Sequence, residues 1–330
     1  MTVGADGSVM TEALNRALAQ ALGDDPRVVV LGQDVGRLGG VFRVTDGLQR
    51  RFGPTRVLDT PLAESGIVGS AFGMALTGLR PVAEIQFMGF LYKAANQLIA
   101  QAAQLRARTW GQASAALVVR TPYGGGVRTP EHHSDSTEAF LCHSPGLKVV
   151  VPSTPLEAAG LLLSAIADPD PVLVMEPIRL YRAARELLPT RLLPIPLGQA
   201  RVRRPGDAAT VVAWGAMVPV ALEAADEVAR AGIEAEVIDL RTLSPLDLDT
   251  VGASVDRTGR LVVVHEAARS GGLGAEVVAS LVERCFYALR SPPERVTGYD
   301  VVYPAQLLED AYLPSVERVA AALQRVVEEE

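Results

Sequence analysis

Around residue 60 the chain reads Asp59-Thr-Pro-Leu-Ala-Glu64-Ser-Gly-Ile-Val-Gly69, a stretch that predicts the start of a helix. Glu64 places a carboxylate in the first turn, where a negative charge complements the helix dipole. The Gly- and Ala-rich run continues to Gly78 and is followed by the β-branched run 82–85. A helix followed closely by an apolar strand is typical of a parallel sheet with helical crossovers.

The same alternation extends in both directions from this stretch. Short apolar runs predict buried strands at 28–31, 82–85, 117–120, 148–151, 172–176, 210–214, 236–240, 261–265 and 295–299. Longer patterned segments predict helices at 11–22, 64–78, 92–110, 156–167, 218–231, 275–287 and 315–327. The strands are too apolar for a sheet with one solvent-exposed face, so helices should cover both faces.

The alternation is interrupted once, which predicts two domains. A length of 330 residues exceeds the usual size of one domain. Pro189, Pro194 and Pro196 fall where the pattern lapses, and proline stops both helices and central strands. We therefore predict an α/β protein with two doubly wound domains, 1–185 and 206–330, joined by a Pro-rich linker at 186–205.

Composition argues against several classes of partner and location. The net charge is -7, and no Lys/Arg cluster is present to bind phosphates, so nucleic acid is not expected. No apolar run approaches the roughly 20 residues that span a bilayer, and no signal peptide is apparent, so we expect a cytoplasmic protein. Cys142 and Cys285 are far apart and are interpreted as packing residues.

Common catalytic motifs are also missing from the sequence. There is no GxxxxGK[ST] phosphate loop, no GxGxxG after the first strand and no GxSxG nucleophile elbow. Simple NTPases, dinucleotide-dependent dehydrogenases and α/β hydrolases are therefore disfavoured. The glycines between Gly32 and Gly40 indicate a turn that could approach a ligand, but glycines alone are a weak signal.

The stretch from Asp59 resembles the cofactor motif of one family. That family is the β subunits of the E1 components of thiamine-diphosphate-dependent 2-oxo acid dehydrogenases, in the transketolase-like superfamily. Further strings match in order along nearly the whole chain, namely Gly39-Gly-Val-Phe-Arg, Gly78-Leu-Arg-Pro-Val-Ala-Glu-Ile-Gln86-Phe, His133-Ser, Pro145-Gly-Leu-Lys-Val-Val, Glu176-Pro, Val237-Ile-Asp-Leu-Arg-Thr and Arg295-Val-Thr-Gly-Tyr-Asp300. The resemblance implies a pyrimidine-binding domain followed by a transketolase C-terminal domain.

The resemblance also implies roles for single residues. Glu64 would hydrogen-bond N1′ of the cofactor aminopyrimidine, and Leu62, Gln86 and Phe90 would surround that ring. His133 would be the active-site histidine, in a loop that lines the approach of the lipoyl arm. Without the resemblance, Glu64 is a dipole-complementing residue, Phe90 a core aromatic and His133 a surface loop residue.

The superfamily's diphosphate and Mg²⁺ motif, GDG followed by Asn, is not found here. The resemblance therefore implies that a separate E1 α subunit supplies that half of the site in an α2β2 heterotetramer, which passes acyl groups to a lipoyl-bearing E2 acyltransferase. Some relatives also bind K⁺ through backbone carbonyls. The matching positions are Ala115, Leu117, Val118, Ala165, Asp168 and Asp170.

Three positions depart from the family pattern, namely Gln33, Asn96 and Asp135. Short strings, with Gln86 among them, look more like the branched-chain enzymes, so the predicted activity is 3-methyl-2-oxobutanoate dehydrogenase (2-methylpropanoyl-transferring). Pyruvate and acetoin dehydrogenase are alternatives. A non-catalytic assembly subunit is an alternative from another class.

Overall fold

The protein forms two compact α/β units. The structure is a computed structural model that describes residues 7–129 and 132–328. The described residues fall within Met1–Tyr123 with Phe140–Leu197 for the first unit, and within Gly124–Ala139 with Gly198–Glu330 for the second. Among these residues, no helix combines the length and apolar character needed to cross a membrane.

Helices and strands alternate along most of the chain. The α-helices are α1 Met10–Asp24, α2 Leu48–Phe52, α3 Glu64–Leu76, α4 Leu105–Arg108, α5 Glu138–Cys142, α6 Pro155–Ala167, α7 Met217–Ala229, α8 Leu248–Thr258, α9 Leu273–Cys285, α10 Glu309–Tyr312 and α11 Val316–Glu328. The strands are β1 Val28–Gly32, β2 Val57–Asp59, β3 Arg80–Glu84, β4 Val118–Tyr123, β5 Lys148–Val150, β6 Val172–Pro177, β7 Arg201–Arg204, β8 Ala209–Ala213, β9 Ala235–Asp239, β10 Thr242–Ser244, β11 Leu261–Ala268 and β12 Glu294–Gly298.

Six strands of the first unit lie in the order β5-β6-β4-β3-β1-β2, and every neighbouring pair among them is parallel. Strands β1, β4 and β6 are buried along their whole length, as expected for a parallel sheet covered on both faces. Helix α6 begins with Pro155 at its first turn, and the Thr154 hydroxyl accepts the backbone N–H of Glu157. This local chemistry fixes the crossover between β5 and β6.

The sheet of the second unit has the order β12-β11-β8-β9-β7. Four of its strands are parallel, and β7 pairs antiparallel with β9 at the edge. Helix α11 packs on α7 and on the sheet. The two α/β units confirm the predicted fold class, while the domain limits drawn from the sequence stay a prediction.

The predicted helix at 92–110 was wrong in type. The segment instead forms a 3₁₀ helix at Met88–Ala94, a π-helix at Asn96–Ala103 and the short α4. Apolar spacing indicates a helical segment, but it does not determine whether each N–H bonds to the carbonyl three, four or five residues earlier. The strands β2, β7 and β10 were not predicted, because each contains at most two adjacent apolar residues.

Candidate functional site

The carboxyl ends of three parallel strands meet at one edge of the first sheet. Gly32, which ends β1, is in register with Asp59 at the end of β2 and with Glu84 at the end of β3. In open α/β sheets, ligands bind outside the carboxyl ends of the strands. The stretch that leads from Asp59 to Glu64 therefore leaves the sheet at the edge where a ligand is expected.

The turn after β1 is tied to this edge by side chains. The Asp59 carboxylate accepts the backbone N–H groups of Gly36 at 2.6 Å and Arg37 at 3.1 Å. Asp34 adopts a left-handed φ of 61°, and its carboxylate accepts the Gln86 side-chain amide at 3.4 Å. The half-buried Gln86 is thereby held just beyond β3.

Glu64 is the first residue of α3 and is 6% exposed. The nearest cation is Lys93, whose Nζ lies 3.7 Å from the carboxylate and whose side chain is 67% exposed. No residue in 7–129 or 132–328 donates a hydrogen bond to this carboxylate. A buried carboxylate with one distant, solvated partner is costly unless a ligand supplies a donor.

Apolar side chains lie near the same carboxylate. The Lys93 ammonium is 5.7 Å from the centre of the half-buried Phe90 ring, so one side chain reaches both Phe90 and Glu64. Phe90 packs edge-on against Phe87 at 5.7 Å. Leu62, two residues before Glu64, is 66% exposed. An acceptor near an aromatic ring suits a flat heteroaromatic ligand.

A buried ion network lies in the same sheet and was not predicted. Arg120 on β4 hydrogen-bonds the Glu84 carboxylate on one side and the Glu176 carboxylate, at 2.6 and 2.8 Å, on the other. Tyr181 donates its hydroxyl to Glu176 at 2.6 Å. Burial raises the pKa of Glu84 despite the nearby guanidinium. The available signal was a charged residue in each of three otherwise apolar strands.

His133 belongs to the second unit, whereas Leu62, Glu64, Gln86 and Phe90 belong to the first. Its side chain is half-buried, and the adjacent Ser134 is buried. Among the departures from the family pattern, Gln33 and Asp135 are half-buried and Asn96 is exposed.

The six predicted potassium positions lie in the first unit, and several of their carbonyl oxygens already accept hydrogen bonds. Those of Ala115, Leu117 and Ala165 accept backbone N–H groups, and that of Asp168 accepts the Arg80 guanidinium at 3.2 Å. The Asp168 carboxylate binds Lys148 at 2.6 Å. A carbonyl oxygen has two lone pairs, so these bonds leave capacity for a cation, and the potassium site stays a prediction.

No cluster of three or more His, Cys, Asp and Glu side chains placed to hold a metal ion occurs in the described part of the chain. Neither cysteine forms a disulfide there, and Cys285 is buried while Cys142 is half-buried. Burial raises the pKa of the Cys285 thiol to about 11, so it is a packing residue rather than a nucleophile.

Two family models match the chain in succession. Residues 7–184 match "Transketolase, pyrimidine binding domain" and residues 198–319 match "Transketolase, C-terminal domain". A solved structure described as "Split gene transketolase, inactive beta4 tetramer" superposes with a TM-score of 0.80 at 24% identity, covering 98% of this chain and 99% of that one. Together they define a two-domain α/β protein of the transketolase type.

Curated relatives narrow the class. The chain is 49% identical over 319 residues to "Pyruvate dehydrogenase E1 component subunit beta" of Staphylococcus epidermidis, covering 96% of this chain and 98% of the relative. Proteins with the same description from Acholeplasma laidlawii and Bacillus subtilis are each 48% identical, covering 96–97% of this chain and 97–98% of theirs. The chain belongs to the β subunits of 2-oxo acid dehydrogenase E1 components.

Proposed function

We propose that this chain supplies the pyrimidine half of a thiamine diphosphate site in a 2-oxo acid dehydrogenase E1 component. The observation that carries the proposal is Glu64, a buried carboxylate at the carboxyl edge of the parallel sheet with only a solvated lysine 3.7 Å away. An aminopyrimidine protonated at N1′ presents the N–H donor that such a carboxylate lacks, together with a flat apolar face for Phe90 and Leu62.

When bound, thiamine diphosphate supplies a carbon nucleophile and an electron sink for the loss of CO₂ from a 2-oxo acid. Glu64 would hydrogen-bond N1′ of the aminopyrimidine and favour the imino tautomer, whose exocyclic nitrogen is the base. Phe90 and Leu62 exclude water from the ring, and Gln86 offers its amide beside them. His133 has a side chain that can move protons near neutral pH, and its proposed role is proton transfer during acyl transfer.

The partner proposed for this chain is an E1 α subunit that holds the diphosphate and Mg²⁺, in an α2β2 heterotetramer. The absence of the GDG and Asn motif from the sequence supports this division, because the pyrimidine half alone cannot anchor the cofactor. The acceptor of the acyl group is the lipoyl arm of an E2 acyltransferase. A cytoplasmic location stays a prediction.

The substrate that we propose is pyruvate. The support is that relatives at 48–49% identity over almost the full chain are described as pyruvate dehydrogenase β subunits. The branched acid 3-methyl-2-oxobutanoate is a second candidate. It is favoured by the strings Gly39-Gly-Val-Phe-Arg, Ile67-Val-Gly, Glu84-Ile-Gln-Phe and Leu180-Tyr-Arg-Ala-Ala, although a few residues weigh less than identity spread over 319 aligned positions.

The substrate test is a comparison of kcat/KM for the two acids. The β chain, assembled with its own α subunit, is assayed with an artificial electron acceptor. We expect a preference for pyruvate of about 10-fold or more, since pockets discriminate between side chains that differ by methylene groups by about 10- to 200-fold. A preference for the branched acid would establish the second candidate and leave the cofactor chemistry unchanged.

A non-catalytic assembly subunit is tested by cofactor binding. The assembled complex should melt at a higher temperature with thiamine diphosphate and Mg²⁺, because a ligand that binds only the folded state stabilises it. Glu64→Ala should reduce that gain. A complex that assembles but shows no stabilisation by the cofactor would support the non-catalytic function.

A further inference from the structure

The loop that carries His133 is closed on itself. We define the His133 loop as residues 124–135, of which Pro130 and Glu131 lie outside the described residues. At its base the Gly124 N–H donates to the Asp135 carbonyl oxygen at 3.1 Å, and nearer its tip the Thr129 and Ser134 hydroxyls are 2.6 Å apart. His133 therefore directly precedes two residues, Ser134 and Asp135, that are hydrogen-bonded to the opposite side of the loop.

Two buried carboxylates of the second unit accept the backbone of this loop. Glu309, which begins α10 and is 1% exposed, accepts the N–H groups of Gly126 and Arg128, each at 2.9 Å. Glu266 on β11, which is 5% exposed, accepts the Gly125 N–H at 3.1 Å. Hydrogen bonds from N–H groups to an ionised carboxylate are roughly twice as strong as neutral ones.

The Glu266 carboxylate and the Tyr303 hydroxyl lie so close to the loop backbone that a side chain at Gly124 or Gly125 would overlap them. A Cβ at Gly124 would lie 2.2 Å from a Glu266 carboxylate oxygen, and one at Gly125 would lie 1.7 Å from the Tyr303 hydroxyl oxygen. Gly124 also has a φ of +83°, which L side chains rarely adopt. Gly124 is therefore constrained by its φ and by the Glu266 carboxylate, Gly125 by the Tyr303 hydroxyl, and Gly126 by its φ of 89°.

Tyr303 completes the arrangement, with its hydroxyl close to the loop backbone at Gly125. Its hydroxyl donates to Glu309 at 2.7 Å. Burial, and then the Glu309 carboxylate, raise the pKa of Tyr303 well above its ordinary value, so the hydroxyl stays a donor. Glu309 thus accepts three hydrogen bonds, and displacement of the loop would remove two of the donors from this buried carboxylate.

We propose that Glu309, assisted by Glu266 and Tyr303, is a positioning residue that holds the His133 loop in its reactive conformation. The proposal rests on the proposed function, because it gives the loop a purpose only if His133 takes part in the reaction. Glu309 touches neither substrate nor cofactor in this account, and its effect is transmitted through the backbone at Gly126 and Arg128.

The test is a double-mutant cycle in the assembled complex with its α subunit. Glu309→Gln keeps the side-chain shape but removes the charge and one acceptor oxygen. We expect a fall in kcat for acyl transfer to a free lipoyl domain of about 10- to 100-fold, the scale of a small misplacement of a catalytic group, with KM for the 2-oxo acid within about twofold. In a His133→Ala background the same change should have almost no further effect. Additive effects would overturn the proposal.

Asp310→Asn is the matched control. Asp310 is the next residue, is exposed and pairs with the Arg128 side chain at 2.9 Å, so its loss leaves the loop backbone bonds in place. It should retain the activity of the unaltered complex.

Hydrogen exchange separates failure of this proposal from failure of the proposed function. A peptide covering 124–135 should exchange faster in Glu309→Gln than in Asp310→Asn, and equal exchange would overturn the positioning role. If exchange changes but His133→Ala is fully active, the role given to His133 is refuted, while the anchoring of the loop by Glu309 stands.

Discussion

At the scale of single residues, the burial of the Glu64 carboxylate needs an explanation. It begins α3, is 6% exposed and has Lys93 as its only ion-pair partner within 4 Å among the described residues. Complementing the helix dipole would be worth about 0.3 to 1 kcal/mol at the surface, and it does not require a buried position. The burial is better explained by a ligand that donates a hydrogen bond.

Glu64→Gln should slow exchange of the cofactor's C2 proton by about 100-fold or more, because an amide cannot hold a proton at N1′ as a carboxylate does. The measurement is deuterium exchange of thiamine diphosphate bound to the assembled complex. Ser65→Ala, at the exposed next position of α3, is the control and should exchange at the unaltered rate. Unchanged exchange in Glu64→Gln would refute the role given to Glu64.

Glu138 is a fully buried carboxyl at the start of α5, three residues after the end of the His133 loop. Burial raises its pKa from 4.5 to about 7. A carboxyl whose pKa is raised on folding lowers stability wherever the unfolded group ionises first, so its cost grows as pH rises from about 4.5 to 7. From the shift, the cost above pH 7 is about 3 kcal/mol.

Glu138→Gln should therefore gain thermal stability relative to the unaltered protein as pH is raised from 5 to 8. The measurement is the difference in Tm between the two proteins at each pH. His265 acts in the opposite direction, because burial lowers its pKa to about 4 and the unfolded imidazole is protonated first, so its cost to stability grows as pH falls from 6.5 to about 4. A Tm difference that is constant with pH would contradict the account of Glu138.

At the scale of elements, a buried network of ion pairs joins strands β3, β4 and β6 of the first sheet. Arg120 is 1% exposed and is bound by Glu84 and Glu176, both also buried. Arg120→Met should lower stability by about 3–5 kcal/mol, because two carboxylates would remain buried without their cation. The measurement is the shift of the urea unfolding midpoint.

Arg106→Gln is the control for this change. Arg106 forms a partly exposed pair with Asp170 at 2.7 Å, and exposed pairs contribute about 0–1 kcal/mol. Equal shifts for the two variants would contradict a structural role for the buried network.

The His133 loop allows a steric prediction. Gly125→Ala should lower the Tm and the rate of acyl transfer, because its Cβ would overlap the Tyr303 hydroxyl. Gly23→Ala, near the end of α1 where a Cβ meets nothing within 4 Å, should instead be neutral or slightly stabilising. Activity of Gly125→Ala equal to that of Gly23→Ala would show that the loop tolerates displacement.

Several elements could be predicted because their signal is local. The apolar runs at β1 and β6 and the start signal of α6 at Thr154 and Pro155 were sufficient. The 3₁₀ and π geometry of 88–103 could not be predicted, since it depends on how the segment packs. The contact of Glu309 with Gly126 joins residues 183 positions apart, and no sequence pattern indicates such a pairing.

At the scale of the whole molecule, the chain contains two α/β units with separate sheets. The proposed pyrimidine contacts lie in the first unit, and the anchored His133 loop belongs by its contacts to the second. The family resemblance located Glu64 and His133 in the sequence, but the supporting side chains became apparent only from the fold. We propose that the β chain supplies only part of the cofactor site and that the α subunit completes it.

The most direct test of that claim is the rate of pyruvate decarboxylation by this chain alone and mixed with its E1 α subunit, with thiamine diphosphate and Mg²⁺ present. We predict activity only in the mixture, and a loss of that activity when the β chain carries Glu64→Ala. Activity of the β chain alone, or a properly assembled mixture that is inactive on both pyruvate and 3-methyl-2-oxobutanoate, would contradict the account.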